Sequence, residues 1–325
     1  MAEPRPWREA WQDALYGPAG FYRSAEGPAG HFTTSAHGPL GPLLAEAVAA
    51  LADREGAVQV LDLGAGRGEL LTALHAHRPD LWLTGVDVVE RPPGLPDAVR
   101  WIRSPGGDAL PDRLTDLVDV LVVAHEWLDV IPCTVAEVDD EGRARVVLVD
   151  AGTGAETLGP DLDAEDAAWV AAHWPTDGAA PGTRVEVGLA RDRAWDALAA
   201  RVRRGTLLAV DYGHVRAGRP PHGTLVGHRR GTVVPAVPDG SCDVTAHVAV
   251  DTLEQDERWT QREALERLGV DGRQPPVPMA GTDPLGYLAA LNRAGTVGVL
   301  RDPSGLGAFH WVLRRVGRPG PGAAD

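Results

Sequence analysis

Residues 60–71 read VLDLGAGRGELL: an apolar run carries an acid and turns through Gly64, Gly66 and Gly68 into a helical pattern. Such a run suits a strand buried on both faces of a parallel sheet. The glycines let the backbone turn tightly and approach a ligand, and the start of the following helix offers unpaired N–H groups there. Spacing decides which ligand. A dinucleotide-phosphate loop requires a third glycine at position 69, where Glu69 stands. An acid beside a pyrophosphate is repelled, whereas an adenosyl ligand with a cationic centre and no phosphate tolerates it. The segment therefore reads as an S-adenosylmethionine loop, with a ligand-free strand-to-helix turn as the alternative.

At 325 residues, with 44% hydrophobic and 24% charged side chains, the chain has the make-up of a globular protein of one or two domains. Its formal net charge of −15 argues against a nucleic-acid partner, which would need a clustered positive field. The arginines are scattered among carboxylates, and an acidic surface tolerates a basic peptide. Cys133 and Cys242 are the only cysteines, so the sequence holds neither a disulfide framework nor a zinc spacing. The opening MAEPRPWREAW has no apolar stretch, and no run approaches the roughly 18 apolar residues of a membrane helix. These features give the expectation of a cytoplasmic protein with no membrane partner.

The glycine-, aromatic- and hydroxyl-rich start, residues 1–38, reads as a shaped loop, and helical spacing from Pro39 to Arg54 reads as a helix. LWLTGVDVV from Leu81 predicts a second strand, AVRWIRS a third, and DVLVVAHEWLDVIP a strand running into a polar turn. A hairpin turning at Asp139 to Gly142, helices near Ala164 to His173 and Leu189 to Val202, and a strand ending at Asp211 follow. Strands alternating with helices indicate an open, mostly parallel sheet with helices on both faces, and ligands in such sheets bind outside the strands' carboxyl ends. From His214 the alternation breaks into Pro- and Gly-rich pieces around a helix from Thr260 to Leu268, before a closing strand from Phe309. The expected organisation is an N-terminal loop and helix region (1–57), an α/β Rossmann-like core (58–213), an inserted cap over the substrate (214–304), a closing core strand (305–316) and a disordered tail (317–325).

Asp87 lies 25 positions after Asp62 at the end of the second predicted strand, where a carboxylate can take both ribose hydroxyls of a nucleoside held by the glycine loop. Asp108 and Ala109 follow the third strand, where an acid can accept the exocyclic amine of adenine. Asp62 reads as support for the glycine loop, within reach of a methionine amine. Glu126 and Asp129, three apart on a turn, can point their carboxylates the same way. A guanidinium is a poor nucleophile because its lone pairs are delocalised and it stays protonated. Two carboxylates can fork its N–H groups, pin the charge on one side and leave one nitrogen aimed at a methyl, since such transfer depends on alignment at about 3–3.5 Å. The alternative has Glu126 capping a following helix and Asp129 in solvent. Eleven histidines offer no ligand spacing, so no metal site is expected.

Seven blocks, GHFTTSAHGPLGPLLAEAV, VLDLGAGRGELL, AHEWLDVIP, VDYGH, GTLVGHRRG, DVTAHVAVD and TQREALERLGV, occur in an order that resembles MidA-like methyltransferases. The resemblance spans roughly residues 13 to 270. It implies a class I S-adenosylmethionine-dependent enzyme with a seven-stranded, mostly parallel sheet and a cap. For the mitochondrial branch, whose members are respiratory complex I assembly factors, it also implies symmetric dimethylation of a protein arginine. The chain departs from the family's usual pattern at His31, at His125 and at Trp127–Leu128, all on the acceptor side. There the candidates are Tyr22, Thr33, Thr34, Asp211, Tyr212 and His247, the last also readable as a structural histidine. A protein or peptide acceptor is the first expectation; a tailoring enzyme for a peptide or small natural product, or a cofactor-binding assembly factor without turnover, are the alternatives.

Overall fold

The apolar runs become strands of one sheet. The computed structural model describes residues 3–23 and 34–317. Its main sheet contains β1 Gln59–Leu63, β2 Trp82–Asp87, β3 Val99–Arg103, β4 Leu117–His125, β5 Val202–Asp211, β6 Glu257–Thr260 and β7 His310–Val316. Their order across the sheet is β3-β2-β1-β4-β5-β7-β6. Neighbours from β3 to β5 run parallel, and β7 runs antiparallel to both β5 and β6.

The helices are α1 Trp7–Tyr16, α2 Gly41–Arg54, α3 Glu69–His77, α4 Ala164–His173, α5 Leu189–Ala199, α6 Gln261–Arg267, α7 Met279–Thr282 and α8 Pro284–Leu300. Successive side chains of a strand point to opposite faces, and the central strands feed two cores accordingly. Val60, Leu121, Val123, Leu208 and Val210 join α2 and α3, whereas Leu61, Leu63, Val120, Val122 and Leu207 join Ala194, Trp195 and Leu198 of α5. Apolar residues on both faces explain why these strands read as continuous runs in the sequence.

Four features differ from expectation. Residues 7–16 form a helix inside the stretch expected to be a loop, because Trp7, Trp11 and Leu15 recur on one face and are buried against Val135, Val147 and Val149. A second, antiparallel sheet of Thr134–Val138, Ala144–Val149, Glu156–Asp161, Arg184–Val187 and the short Arg5–Pro6 stands beside the main one, so a single sheet with a cap is too simple a description. The segment 214–304 is not one insertion: it supplies core strand β6 and the 17-residue α8. Its remainder includes a three-stranded antiparallel sheet, Thr232–Val234, Val226–Arg229 and Asp243–Thr245. Helix α5 also stops at Ala199, because Val202 begins β5. The tail beyond Gly317 lies outside the described residues.

Candidate active site

At the carboxyl ends of β1, β2 and β4 the chain leaves the sheet around one cavity of 1360 Å³. This is where the strand order changes direction, the crevice at which open α/β sheets take ligands. Gly64, Gly66 and Gly68 all adopt positive φ (77°, 58° and 78°), a conformation that side chains with a Cβ resist. Gly64 and Gly66 line the cavity, and Gly68 caps α3. The floor there is bare backbone, open to a flat ligand. Trp127 stands over Gly64, its ring within 3.7 Å of where a Cβ would sit.

Asp87 ties the loop to β2: one carboxylate oxygen accepts the Gly66 N–H at 2.8 Å and the other accepts the Val89 N–H at 3.2 Å. Burial raises its proton affinity to about 6 despite these bonds. Asp62, 3% exposed, is pushed up to about 8, first by burial and then by the charges of Asp87 and Glu69. Asp108 and Ala109 do not line the cavity. Both are exposed, with Asp108 3.5 Å from Arg8, while the same loop presents Ser104, Gly106 and Gly107 instead. The loop turns earlier than its sequence suggests, because positive φ at Gly106 and Gly107 brings that backbone to the rim.

The turn after β4 carries the strongest chemistry. Glu126 has a φ of 52°, a left-handed conformation costing on the order of 1–2 kcal/mol for a residue with a Cβ. No helix follows it: the next element is the strand Thr134–Val138, which removes a capping role for Glu126. Its Oε1 is buried without a hydrogen-bond partner, and burial followed by the charges of Asp129 and Asp243 drives its proton affinity well up. Asp129, 2% exposed rather than solvated, accepts the phenol proton of Tyr212. Asp211 stands outside the cavity lining, where one of its oxygens accepts the Leu128 N–H at 3.2 Å. Burial raises the proton affinity of both carboxyls, and the charge of Asp129 raises that of Asp211 further.

Arg191 fixes this turn from below. It is buried among apolar residues and donates to the Asp129, Ile131 and His247 carbonyls at 2.9, 3.3 and 2.8 Å. Nothing in its sequence context marked it, since its partners are backbone atoms from distant segments. His125 lies 2.7 Å from Ser35 Oγ and 3.6 Å from Glu126, and burial lowers its proton affinity to about 4, so it stays neutral beside the acid.

On the acceptor side, Tyr22, Thr34, Tyr212 and His247 all line the cavity, while Thr33 and His31 lie outside the described residues. The Tyr22 hydroxyl donates to Asp243 at 2.8 Å, and Tyr212 packs edge-on against His247 and Phe309. Asp243 and His228 also line the cavity; the alternation of Asp243, Thr245 and His247 was the available signal for the former. Among the described residues the lining thus carries seven carboxylates (Asp62, Glu69, Asp87, Glu90, Glu126, Asp129 and Asp243) against one arginine, Arg67, so it favours cations. Among the described residues no group of His, Cys, Asp and Glu is arranged to hold a metal ion, and no helix is long and apolar enough to cross a membrane.

An α/β sheet with a glycine loop and strand-end acids around its switch point suits a nucleoside-bearing ligand. A family model described as S-adenosyl-L-methionine-dependent methyltransferase matches residues 40–266, and the chain belongs to that family. A Burkholderia thailandensis protein crystallised with S-adenosyl-homocysteine superposes with a TM-score of 0.72 at 25% identity, covering 98% of this chain and 89% of that one. A native crystal structure of a protein of the same superfamily, also from Burkholderia thailandensis, gives a TM-score of 0.71 at 27% identity over 98% and 88% of the two chains. No curated protein matches the sequence. The protein is an S-adenosyl-L-methionine-dependent methyltransferase with that cofactor, as the resemblance drawn from the seven blocks implied. The bare glycine floor and the carboxylates of Asp62 and Asp87 suit a cationic adenosyl ligand.

Proposed function

We propose that the chain methylates a guanidinium nitrogen of a protein arginine held over Glu126 and Asp129. The observation that carries this reading is the pair of carboxylates on the same cavity as the glycine loop, with Asp129 buried and Glu126 half-buried on left-handed backbone. Strain of this kind persists only where the surroundings over-determine it, and it clusters at working sites. Asp87 would take the ribose hydroxyls, Asp62 the methionine ammonium, and the backbone of Gly64 to Arg67 would hold the adenosyl group. Bound there, the cofactor supplies an electrophilic methyl on a sulfonium centre.

The remaining work is positioning and proton handling. Without a cation, burial favours the neutral form of Glu126. An arriving guanidinium supplies the missing partner, so the carboxylate ionises and forks two N–H groups as a bidentate pair. Tyr212 holds Asp129 in place, and the proton lost from the attacking nitrogen passes to Glu126, whose high affinity suits a base. Tritiated methyl transfer into protein, followed by acid hydrolysis, tests the reading. Label in methylarginine supports it, whereas label released by mild base, as from an ester, overturns it.

A further inference from the structure

The wall of the cavity opposite the glycine loop is one face of the three-stranded sheet. Cross-strand pairs set Val226 beside Thr245, and His228 between Asp243 and Val233. All five of these residues line the cavity, and the alternate residues Gly227, Val244 and Val234 do not. The row Asp243, His228, Val233 therefore runs outward from a buried acid to an exposed edge: Asp243 is 1% exposed and Val233 62%. The sheet ends at Thr232–Val234, which pairs with no further strand among the described residues.

The hairpin fixes which way that edge faces. Arg230 and Gly231 form a two-residue turn, both with positive φ (49° and 76°), flanked by the pair Arg229 and Thr232. In such a hairpin the flanking pair exchanges both hydrogen bonds, and the next pair inward exchanges none. That next pair is His228 and Val233, so the N–H and C=O of Val233 project away from the sheet. They have no backbone partner among the described residues. One residue thus offers a side chain to the cavity and a donor–acceptor pair to an incoming strand.

We propose that the acceptor polypeptide binds in extended form as an added antiparallel strand on Thr232–Val234. This rests on the reading of the acceptor as a protein arginine. The acceptor residue paired with Val233 exchanges both hydrogen bonds with it, and its side chain falls on the cavity face, in the row of His228 and Asp243. The cation preference of that cavity selects arginine for this position. Main-chain pairing gives affinity with little regard to the flanking sequence, and the acid pocket gives specificity.

The probe is a synthetic peptide of alternating threonine and valine with one central arginine, beside a twin that is N-methylated on the arginine's own amide. Binding is measured by fluorescence anisotropy with S-adenosyl-homocysteine present. The native protein is expected to bind the plain peptide at least about tenfold more tightly, because the twin lacks the N–H that donates to Val233. Val233→Pro removes only an outward-facing N–H, a change edge strands tolerate. It should bind S-adenosyl-homocysteine normally and bind the plain peptide several-fold more weakly, because it lacks the N–H that donates to the arginine C=O. Equal binding of the two peptides by the native protein overturns the proposal, as does an unchanged affinity for the plain peptide in a folded Val233→Pro variant. If that variant does not fold, the peptide pair still decides. Preferential binding of the plain peptide with no methyl on its arginine would overturn the functional reading and leave the edge intact; equal methylation and binding of both peptides would do the reverse.

Discussion

Tyr212 donates its phenol proton to the carboxylate of Asp129, joining the end of one core strand to the turn that follows another. That bond lowers the proton affinity of a carboxylate which burial otherwise raises. Tyr212→Phe keeps the ring contacts and deletes the donor. A positioned, ionised Asp129 then becomes harder to form, and the pH dependence of methyl transfer should move upward. Turnover at neutral pH should fall by roughly tenfold, on the scale of about 1–3 kcal/mol for a buried group left unsatisfied. S-adenosyl-homocysteine affinity, measured by calorimetry, should stay within about twofold.

Glu126→Gln keeps shape and loses charge. Methyl transfer should fall by at least about 10²-fold, the scale on which losing a positioned electrostatic partner is felt, while cofactor affinity holds. Asp129→Asn should behave alike, and the double variant should lose less than the product of the two because both act on one group. A Glu126→Gln enzyme with normal turnover would return the residue to a structural role.

Cofactor binding depends on the loop's backbone. Gly66→Val places a β-branched side chain at a φ of 58° on the cavity floor and should abolish S-adenosyl-homocysteine binding. Asp87→Ala removes the acceptor of the Gly66 N–H together with the proposed ribose contact. A loss of about 10- to 150-fold is expected, corresponding to about 1.5–3 kcal/mol. A calorimetric loss under about threefold in a folded Asp87→Ala protein would assign the ribose elsewhere, and binding of NAD in preference would overturn the reading of the loop.

Proton linkage gives an independent check. Free of ligand, Asp62 holds its proton up to about pH 8 and Asp87 up to about pH 6. Both are raised above their unfolded values, so each favours the folded state at low pH and this contribution fades as pH climbs through 6 and 8. A ligand bearing an ammonium and ribose hydroxyls prefers the ionised carboxylates and displaces those protons. Affinity for S-adenosyl-homocysteine should therefore rise between pH 5 and 8. Calorimetry at pH 6.5 in buffers of different ionisation enthalpy should detect net proton release, and uptake would contradict the assignment.

Arg191→Met tests the support beneath the acid turn. Three backbone carbonyls lose the Arg191 donor, of which Asp129 keeps the Ala246 N–H, and the stability lost should be on the order of 3 kcal/mol. Urea denaturation followed by tryptophan fluorescence reads this directly.

Much of the core was legible because buried parallel strands are written as apolar runs with strand-end acids, so Asp87, Glu126 and Asp211 could be put on one rim from spacing alone. The glycines of residues 64–68 were legible for the same local reason. What local pattern could not reveal was who meets whom across the fold. Trp7 and Trp11 look like loop aromatics until the antiparallel sheet that buries them is present. Arg191 is an ordinary helix arginine until three distant carbonyls surround it. Asp108 fits the spacing for an adenine contact and misses the cavity, because two glycines turn the chain before it. Helix α8 escaped notice since its glycines and leading prolines resemble a linker, yet Ala294, Val297 and Leu300 anchor one stripe of it.

If Glu126 acts as proposed, its left-handed backbone sets thermal hardiness against catalysis. Glycine would adopt that conformation freely, and asparagine more readily than glutamate, so either should raise the melting temperature while emptying the site of its acid. A library of this protein selected for heat resistance alone would drift toward those residues at position 126 and stop turning over. Stabilising it for use therefore means holding that one position fixed and searching for gains elsewhere.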